Sequence, residues 1–528
     1  MARGQTARNA RTTCVLPAEA IEKVLSHRYK NGREEYLVRW KAEDAKRAPC
    51  SWHGLKDFRE CLLLVQIYLE EFKPPVYNTS GVSVISAGRK RKAPAADARV
   101  TSRDHSLLSP PPTSPTSSSV SARSKPSHAQ INKADAYNAV IVRKEGRILA
   151  KQRSRDEYLT IDATTLPSQR MKIAAAQFKA PTKEAATQIR QVFEAKVGNV
   201  PKLSLENDVD DTTPPLSFDF IGRYEHVGPE VVPADPATQV GCQECKPDMG
   251  HGIGCEYTRK CTCLENAAVD EKALESKPEE KQRYLEAKAS QGDMSSFPKR
   301  FPYTKPLADP HMPQVLQKFY LDSRHCIYEC NLNCKCGPGC KSRVVQKGRR
   351  VPLIIFKTPD RGWGLKSSED IVRGEFIAVY YGEIISAAEA TLRRGPPEDQ
   401  RKDSYLYSLD KFIENNDPTL TAETCHVVDG RYKGGPTRFM NHSCEPNCVQ
   451  YTVSYNKHDE WIYNLAFFAK YDIPANTEIT FDYTDEDEVE YDVAIRQREQ
   501  AERTKRDSKN HKRTRCLCGR PKCRGFLW

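Results

Sequence analysis

Cysteine placement constrains this chain more than any other property of its sequence. Of 19 cysteines in 528 residues, ten lie between Cys242 and Cys340 and three within the last thirteen residues. They are spaced Cys242-x2-Cys245-x9-Cys255-x5-Cys261-x-Cys263 and, after a charged insert, Cys330-x3-Cys334-x-Cys336-x3-Cys340. The chain then closes on Cys516-x-Cys518-x4-Cys523. No apolar run is long enough to span a bilayer, and none follows Met-Ala-Arg-Gly at the start. We therefore expect a soluble, unsecreted protein with no membrane association, whose thiols remain reduced and favour zinc over disulfides. Nine thiolates fill three zinc tetrahedra only if three of them bridge. Separate zinc fingers or free thiols are the alternatives, and two close-spaced blocks argue against chance. Cys326 is surplus to the pattern and is expected to be unliganded.

The length implies several domains with linkers. A net charge of +12 is a modest basic excess, consistent with a nuclear protein working beside nucleic acid.

A second feature is the segment Arg438-Phe439-Met440-Asn441-His442-Ser443-Cys444-Glu445-Pro446-Asn447, followed downstream by Phe481-Asp482-Tyr483. Amides, imidazole and thiol suit a buried polar turn. The second run closes the β-branched stretch from Thr477. Together they resemble the signature of the SET-domain protein lysine methyltransferases. Leu353-Ile-Ile-Phe, Phe376-Ile-Ala-Val-Tyr-Tyr and Leu465-Ala-Phe-Phe read as buried strands, with none of the alternating strand–helix repeats of a doubly wound methyltransferase.

The cysteine blocks, in their IYECN…CKC…RVVQKG setting, resemble a pre-SET domain, which implies a triangular cluster of three zincs on Cys242, Cys245, Cys255, Cys261, Cys263, Cys330, Cys334, Cys336 and Cys340. Cys516, Cys518 and Cys523 supply three thiolates, one short of a closed site. The post-SET family they resemble takes its fourth ligand from the NHSC cysteine, here Cys444. EKVLSHRYKNGREEYLVRWK, then SWHGLKDF and a helical pattern with Leu62, Val65, Leu69 and Phe72 on one face, resembles a chromodomain. Its strands would join at Asn31-Gly32. Such modules hold methylated lysine by cation–π attraction. Of the cage positions only Trp40 is aromatic, with Glu19 and Glu43 at the others, so a different ligand stays open.

The expected fold class is multidomain and mainly β: a SET-domain β fold with a zinc-cluster pre-SET and zinc-stapled post-SET, plus a small α+β chromodomain. In order these are a disordered tail at 1–20, the chromodomain-like module at 21–73, a Ser/Pro-rich disordered linker at 74–130 and a helical, partly ordered linker at 131–213. Pre-SET follows at 214–348, SET at 349–484, a charged loop at 485–511 and post-SET at 512–528. Arg89 to Lys92 form a basic patch of the nuclear-localisation kind. The acidic run Asp485 to Asp492 would attract a basic histone tail. The N-terminus MARGQTARNA parallels the histone H3 tail, ARTKQTARKS, with Asn9 at the target lysine. It reads as a mobile tail or as a pseudosubstrate.

The resemblance implies S-adenosylmethionine as methyl donor. Arg361, Gly362 and Trp363 match the first donor loop, Asp403 and Tyr405 further contacts, and Arg438, Asn441 and His442 the remainder of the pocket, with Trp528 over the donor. Tyr483 matches the hydroxyl at the reacting amine, with Tyr380 as its partner. Phe481 stands where the family carries Phe or Tyr, and Phe implies room for di- and trimethylation. The domain order matches the Su(var)3-9 class, which implies lysine 9 of histone H3 as substrate, nucleosomes and chromatin as partners, and a nuclear, heterochromatic, gene-silencing role. Nucleic acid is a further expected partner. The rivals are a chromatin-binding adaptor with a weak or inactive SET domain and a zinc-dependent DNA-binding factor.

Overall fold

The computed structural model describes residues 15–41, 50–71, 182–246, 255, 261–290, 292–304, 312–394, 405–413, 417–457, 459–484 and 515–527, and the backbone of 139–144, 147–152 and 158–159. Asp403, Trp528, Glu43, the H3-like N-terminus, the Ser/Pro-rich linker, the basic patch and the charged loop lie outside the described residues. The chain divides into two compact units, residues 1–185 and 186–528. Among the described residues no helix is long and apolar enough to cross a membrane.

In the first unit, strands Ile21–Lys30 and Arg33–Trp40 pair antiparallel through a tight turn. Asn31 and Gly32 both take positive φ there, 51° and 75°, the conformation an Asn-Gly hairpin turn requires. Sequence reasoning missed a third strand, Cys50–Gly54, which completes the sheet. The helix Leu62–Glu71 follows, burying Leu62, Val65 and Tyr68. Trp40 is 1% exposed and donates its indole N–H to Ser51 Oγ at 2.7 Å. The one cage aromatic therefore belongs to the core, because strand alternation turns it inward.

The stretch 131–213 departs from its helical expectation. Ala139–Lys144, Arg147–Gln152 and Tyr158–Leu159 form a three-stranded antiparallel sheet, as the β-branched Val140, Ile141 and Val142 favour. Among the described residues of this stretch the one helix is Lys183–Gly198, with Ile189, Phe193 and Val197 buried at i, i+4 and i+8.

The second unit is built from small sheets. Leu353–Lys357 pairs antiparallel with Trp363–Ser367 and parallel with Leu203–Glu206. Ile327–Tyr328, Cys448–Ser454, Asn464–Ala469 and Phe376–Val379 form a second sheet, packed through Val379, Tyr451, Ala466 and Phe468. Leu406–Ser408, Val427–Asp429, Glu383–Ile385 and Glu225–His226 form a third. Segments N-terminal to the SET region thus supply edge strands to it, so a boundary at 214 divides one packed unit. The charged insert between the cysteine blocks holds two helices, Glu271–Leu274 and Pro278–Ala289, over a small core of Val269, Leu274 and Tyr284.

Candidate active site and metal centres

The two halves of the signature meet as a short parallel pair. Asn441 registers with Thr480 and His442 with Phe481, and Ser443 N–H donates to the Phe481 carbonyl at 3.0 Å. Asn447 locks the pairing: its amide nitrogen donates to the Glu478 carbonyl at 2.8 Å, and its oxygen accepts Thr480 N–H at 2.8 Å. Two loops distant in sequence are thereby fixed side by side.

This junction borders a cavity of about 450 Å³ lined by Tyr380, Tyr405, Tyr407, Arg438, Phe481 and Tyr483, among others. Tyr483 donates its hydroxyl to the Met440 carbonyl at 2.8 Å, and Tyr380 donates to the Tyr405 carbonyl at 3.2 Å. Burial pushes both phenols well above their usual value, so both stay protonated and serve as donors rather than bases. Phe481 is 4% exposed, with ring centroids 4.8 Å from both Phe467 and Tyr483. Gly430, which sequence reasoning missed, makes room for Tyr380. A Cβ there would stand 2.6 Å from the Tyr380 hydroxyl.

Of the described donor candidates, Tyr405 and Arg438 line the cavity, while Arg361, Trp363 and Asn441 are joined beside it through Glu478 and the Asn441 amide. Gly362 has φ +74°, within a turn closed by Thr358 N–H to the Gly362 carbonyl at 2.8 Å. Arg361 pairs with Glu478, and the Asn441 amide donates to Glu478 Oε1 at 2.8 Å and to the Trp363 carbonyl at 3.1 Å. Glu478 is the second missed residue: one carboxylate holds the loop and the signature together. Only its place just ahead of Ile479 to Tyr483 could have marked it. The Arg438 guanidinium lies 4.3 Å above the Tyr405 ring, and its Nε is buried with no hydrogen-bond partner among the described residues, a donor that a bound group can satisfy. The residues thus fit an S-adenosylmethionine site. His442 is not among the residues lining the cavity; its Nε2 lies 3.2 Å from Cys444 Sγ, and burial pushes the ring down to about 4, partly opposed by Asp482, so it is neutral.

All thirteen candidate metal ligands cluster. Cys242, Cys245, Cys261 and Cys263 form one group, Cys255, Cys330, Cys336 and Cys340 a second, and Cys263, Cys330 and Cys334 a third. Cys263 and Cys330 each belong to two groups, which supplies two of the three bridges expected and leaves the third group with three thiols. Sulfurs 2.3 Å from a tetrahedral zinc sit about 3.8 Å apart. Cys245–Cys263 at 3.8 Å, Cys263–Cys334 at 3.9 Å and Cys330–Cys340 at 4.0 Å match this spacing, while Cys242–Cys261 at 3.1 Å and Cys245–Cys261 at 3.2 Å are tighter. Among the described residues the cysteines are free of disulfides, so these sets fit zinc. Cys326 lies apart, its thiol turned to the Thr452 carbonyl.

Cys444, Cys516, Cys518 and Cys523 form a further set, with Cys444 and Cys516 sulfurs 3.8 Å apart. The tail is also tied down by Arg524, which donates to Asp482 Oδ1 at 2.6 Å, and by Arg524 N–H to Cys444 Sγ at 3.3 Å.

The SET domain family matches residues 362–484 and the Pre-SET motif family residues 196–343. The "Histone-lysine N-methyltransferase, H3 lysine-9 specific dim-5" of Neurospora crassa is 39% identical over 330 residues, covering 62% of this chain and 88% of that protein. The Schizosaccharomyces pombe "Histone-lysine N-methyltransferase, H3 lysine-9 specific" is 33% identical over 344 residues, covering 64% of this chain and 58% of that one. The solved structure of the Neurospora SET domain protein DIM-5, a histone lysine methyltransferase, aligns at 38% identity over 53% of this chain and 94% of that one, with a TM-score of 0.43. With its pre-SET cysteines, SET core and signature in place, the chain belongs to the Su(var)3-9-type family of SET-domain histone-lysine N-methyltransferases.

Proposed function

We propose that this protein transfers methyl groups to the ε-amine of lysine 9 of histone H3. The observation that supports the reading is the Asn441–Thr480 and His442–Phe481 pairing beside a cavity lined by two protonated tyrosines and an aromatic wall, with the Arg361 loop tied to the same junction through Glu478 and Asn441. S-adenosylmethionine, when bound, supplies an electrophilic sulfonium methyl. The residues proposed to hold it are Arg361, Gly362, Trp363, Tyr405, Arg438 and Asn441, with His442 supporting them from the backbone, and Asp403 and Trp528 completing the set. Displacement needs a desolvated, neutral lysine aligned with the methyl carbon. Tyr483 and Tyr380 orient the amine, and its proton leaves to water, since a phenol raised by burial is a poor base.

Phe481 adds no hydroxyl beside the amine, so no protein-held water crowds the product, and the expected products are di- and trimethyllysine. The Cys242-to-Cys340 cluster acts structurally, providing folding free energy to a loop-rich segment through metal binding. The protein acts in the nucleus on the histone tail. Its proposed setting is the nucleosome in heterochromatin, where it silences genes, with nucleic acid contacts through its basic excess. The module at 21–73 is proposed as a chromodomain-like docking unit. With Trp40 in the core, a ligand other than methyl-lysine is favoured.

The test is to incubate the protein with labelled S-adenosylmethionine and wild-type or lysine-9-substituted H3 peptides. Transfer to the wild-type peptide alone is expected. No transfer would favour the adaptor, and transfer to both would overturn the lysine assignment.

A further inference from the structure

The His442 imidazole is 5% exposed as a residue and lies outside the cavity lining, between the signature junction and the post-SET thiolates. Its Nδ1 is 3.2 Å from the backbone nitrogen of Tyr483, which can only donate. Nδ1 is therefore the unprotonated acceptor, and a neutral ring carries its one proton on Nε2. Nε2 stands 3.2 Å from Cys444 Sγ, so it aims an N–H at a sulfur of the post-SET set. Asp482 Oδ1 is 3.5 Å from Nδ1 but is engaged at 2.6 Å by Arg524. A proton on Nδ1 would serve Asp482 at the expense of setting two donors against each other at Tyr483.

We infer that His442 is a positioning residue linking the post-SET metal set to the reacting tyrosine, its Nε2–H donating to the Cys444 thiolate while Nδ1 accepts Tyr483 N–H. The inference rests on the reading of Tyr483 as the hydroxyl at the reacting amine. Tyr483 is then clamped at both ends by one segment, its hydroxyl on the Met440 carbonyl and its backbone nitrogen on His442. A zinc-bound thiolate is a charged acceptor that fixes the ring. With the set empty, Cys444 is no longer held in place against the ring, and the hold on Tyr483 relaxes. Occupancy of the tail's metal set is thereby coupled to the geometry of the tyrosine across one imidazole.

Two substitutions in the full-length, zinc-loaded protein separate the two hydrogen bonds. His442→Asn places an acceptor near Nδ1 but does not reach Cys444, whereas His442→Gln places a donor near Nε2 and loses the acceptor. The release of zinc to a chromogenic chelator is followed together with kcat and KM for the donor. In H442N the post-SET zinc should leave about 10- to 100-fold faster, with the pre-SET zincs retained. In H442Q the release rate should be that of wild type while kcat falls and KM for the donor holds. Equal zinc release from both variants, or loss of every zinc together in H442N, would overturn the inference. A 15N spectrum of the wild-type histidines gives a reading that needs no variant to fold: a His442 ring protonated on Nδ1 would also overturn it. Failure of the wild type to transfer methyl groups would sink the functional reading alone, since zinc release and tautomer need neither donor nor peptide.

Discussion

Glu478 offers the most demanding test of how the donor loop is held. Its side chain is 17% exposed; Oε1 accepts from Asn441 at 2.8 Å and Oε2 from Arg361. Glu478→Gln preserves shape but converts one acceptor oxygen into an NH2 group. Whichever way the amide turns, it faces one of two donors, so one charge-assisted hydrogen bond is lost. Such a bond contributes about 1.5–3 kcal/mol when shielded from water. If the donor-bound loop bears that whole cost, the affinity for S-adenosylmethionine falls by about 10- to 150-fold. The loop carries Gly362 at φ +74° and the Trp363 carbonyl that Asn441 grips, so its order depends on this contact. Calorimetric titration of the donor, with KM for donor and for H3 peptide measured in parallel, checks the expectation. Donor affinity should fall, with zinc content unchanged and KM for peptide little altered. Wild-type donor affinity in Glu478→Gln would refute the reasoning, because the loop would then be ordered without its carboxylate.

Other outcomes follow from the same geometry. Cys444→Ser removes the ligand that joins the tail to the signature, so one zinc should be lost while the pre-SET cluster stays filled, and methyl transfer should vanish; zinc analysis showing an unchanged metal content would contradict the assigned ligand set. Phe481→Tyr puts a hydroxyl into the wall formed with Phe467, Tyr407 and Tyr483, and mass spectrometry of the peptide should show mono- and dimethyl products where wild type reaches trimethyl. Tyr483→Phe should lower kcat by about a hundredfold, the order seen when one preorganised donor is removed. Burial raises the Tyr483 phenol, so it stays protonated through neutral and mildly alkaline pH, and the rate should rise with pH as the substrate lysine, ordinarily near 10.4, loses its proton. The shape of that profile should be the same in Tyr483→Phe; a limb lost with the hydroxyl would mean that the phenol titrates after all.

Features carried by neighbouring residues were legible in the sequence. Asn31-Gly32 marked its own hairpin, because the required positive φ values belong to those residue types. The spacing of the cysteines marked their blocks, since metal geometry limits the ligand sets that close-spaced thiolates can form. The aromatic and polar signature likewise named, through family resemblance, the residues proposed for the site. Contacts set by the path of the chain were not legible. Leu203–Glu206 joins the sheet of Leu353–Lys357, and Trp40 turns into the core although its residue type suits a cage.

RFMNHSCEPNC and FDY could be paired by resemblance, but the sequence by itself determined only which chemical groups they bring. Tertiary structure decided that Glu478 would bridge Arg361 and Asn441, that Gly430 would make space for Tyr380, and that the His442 ring would face Cys444 rather than the cavity. The physical reason is that a hydrogen bond depends on where two groups meet and which way each points. Residue type supplies the donor or acceptor; parallel pairing of strands some forty residues apart supplies the meeting.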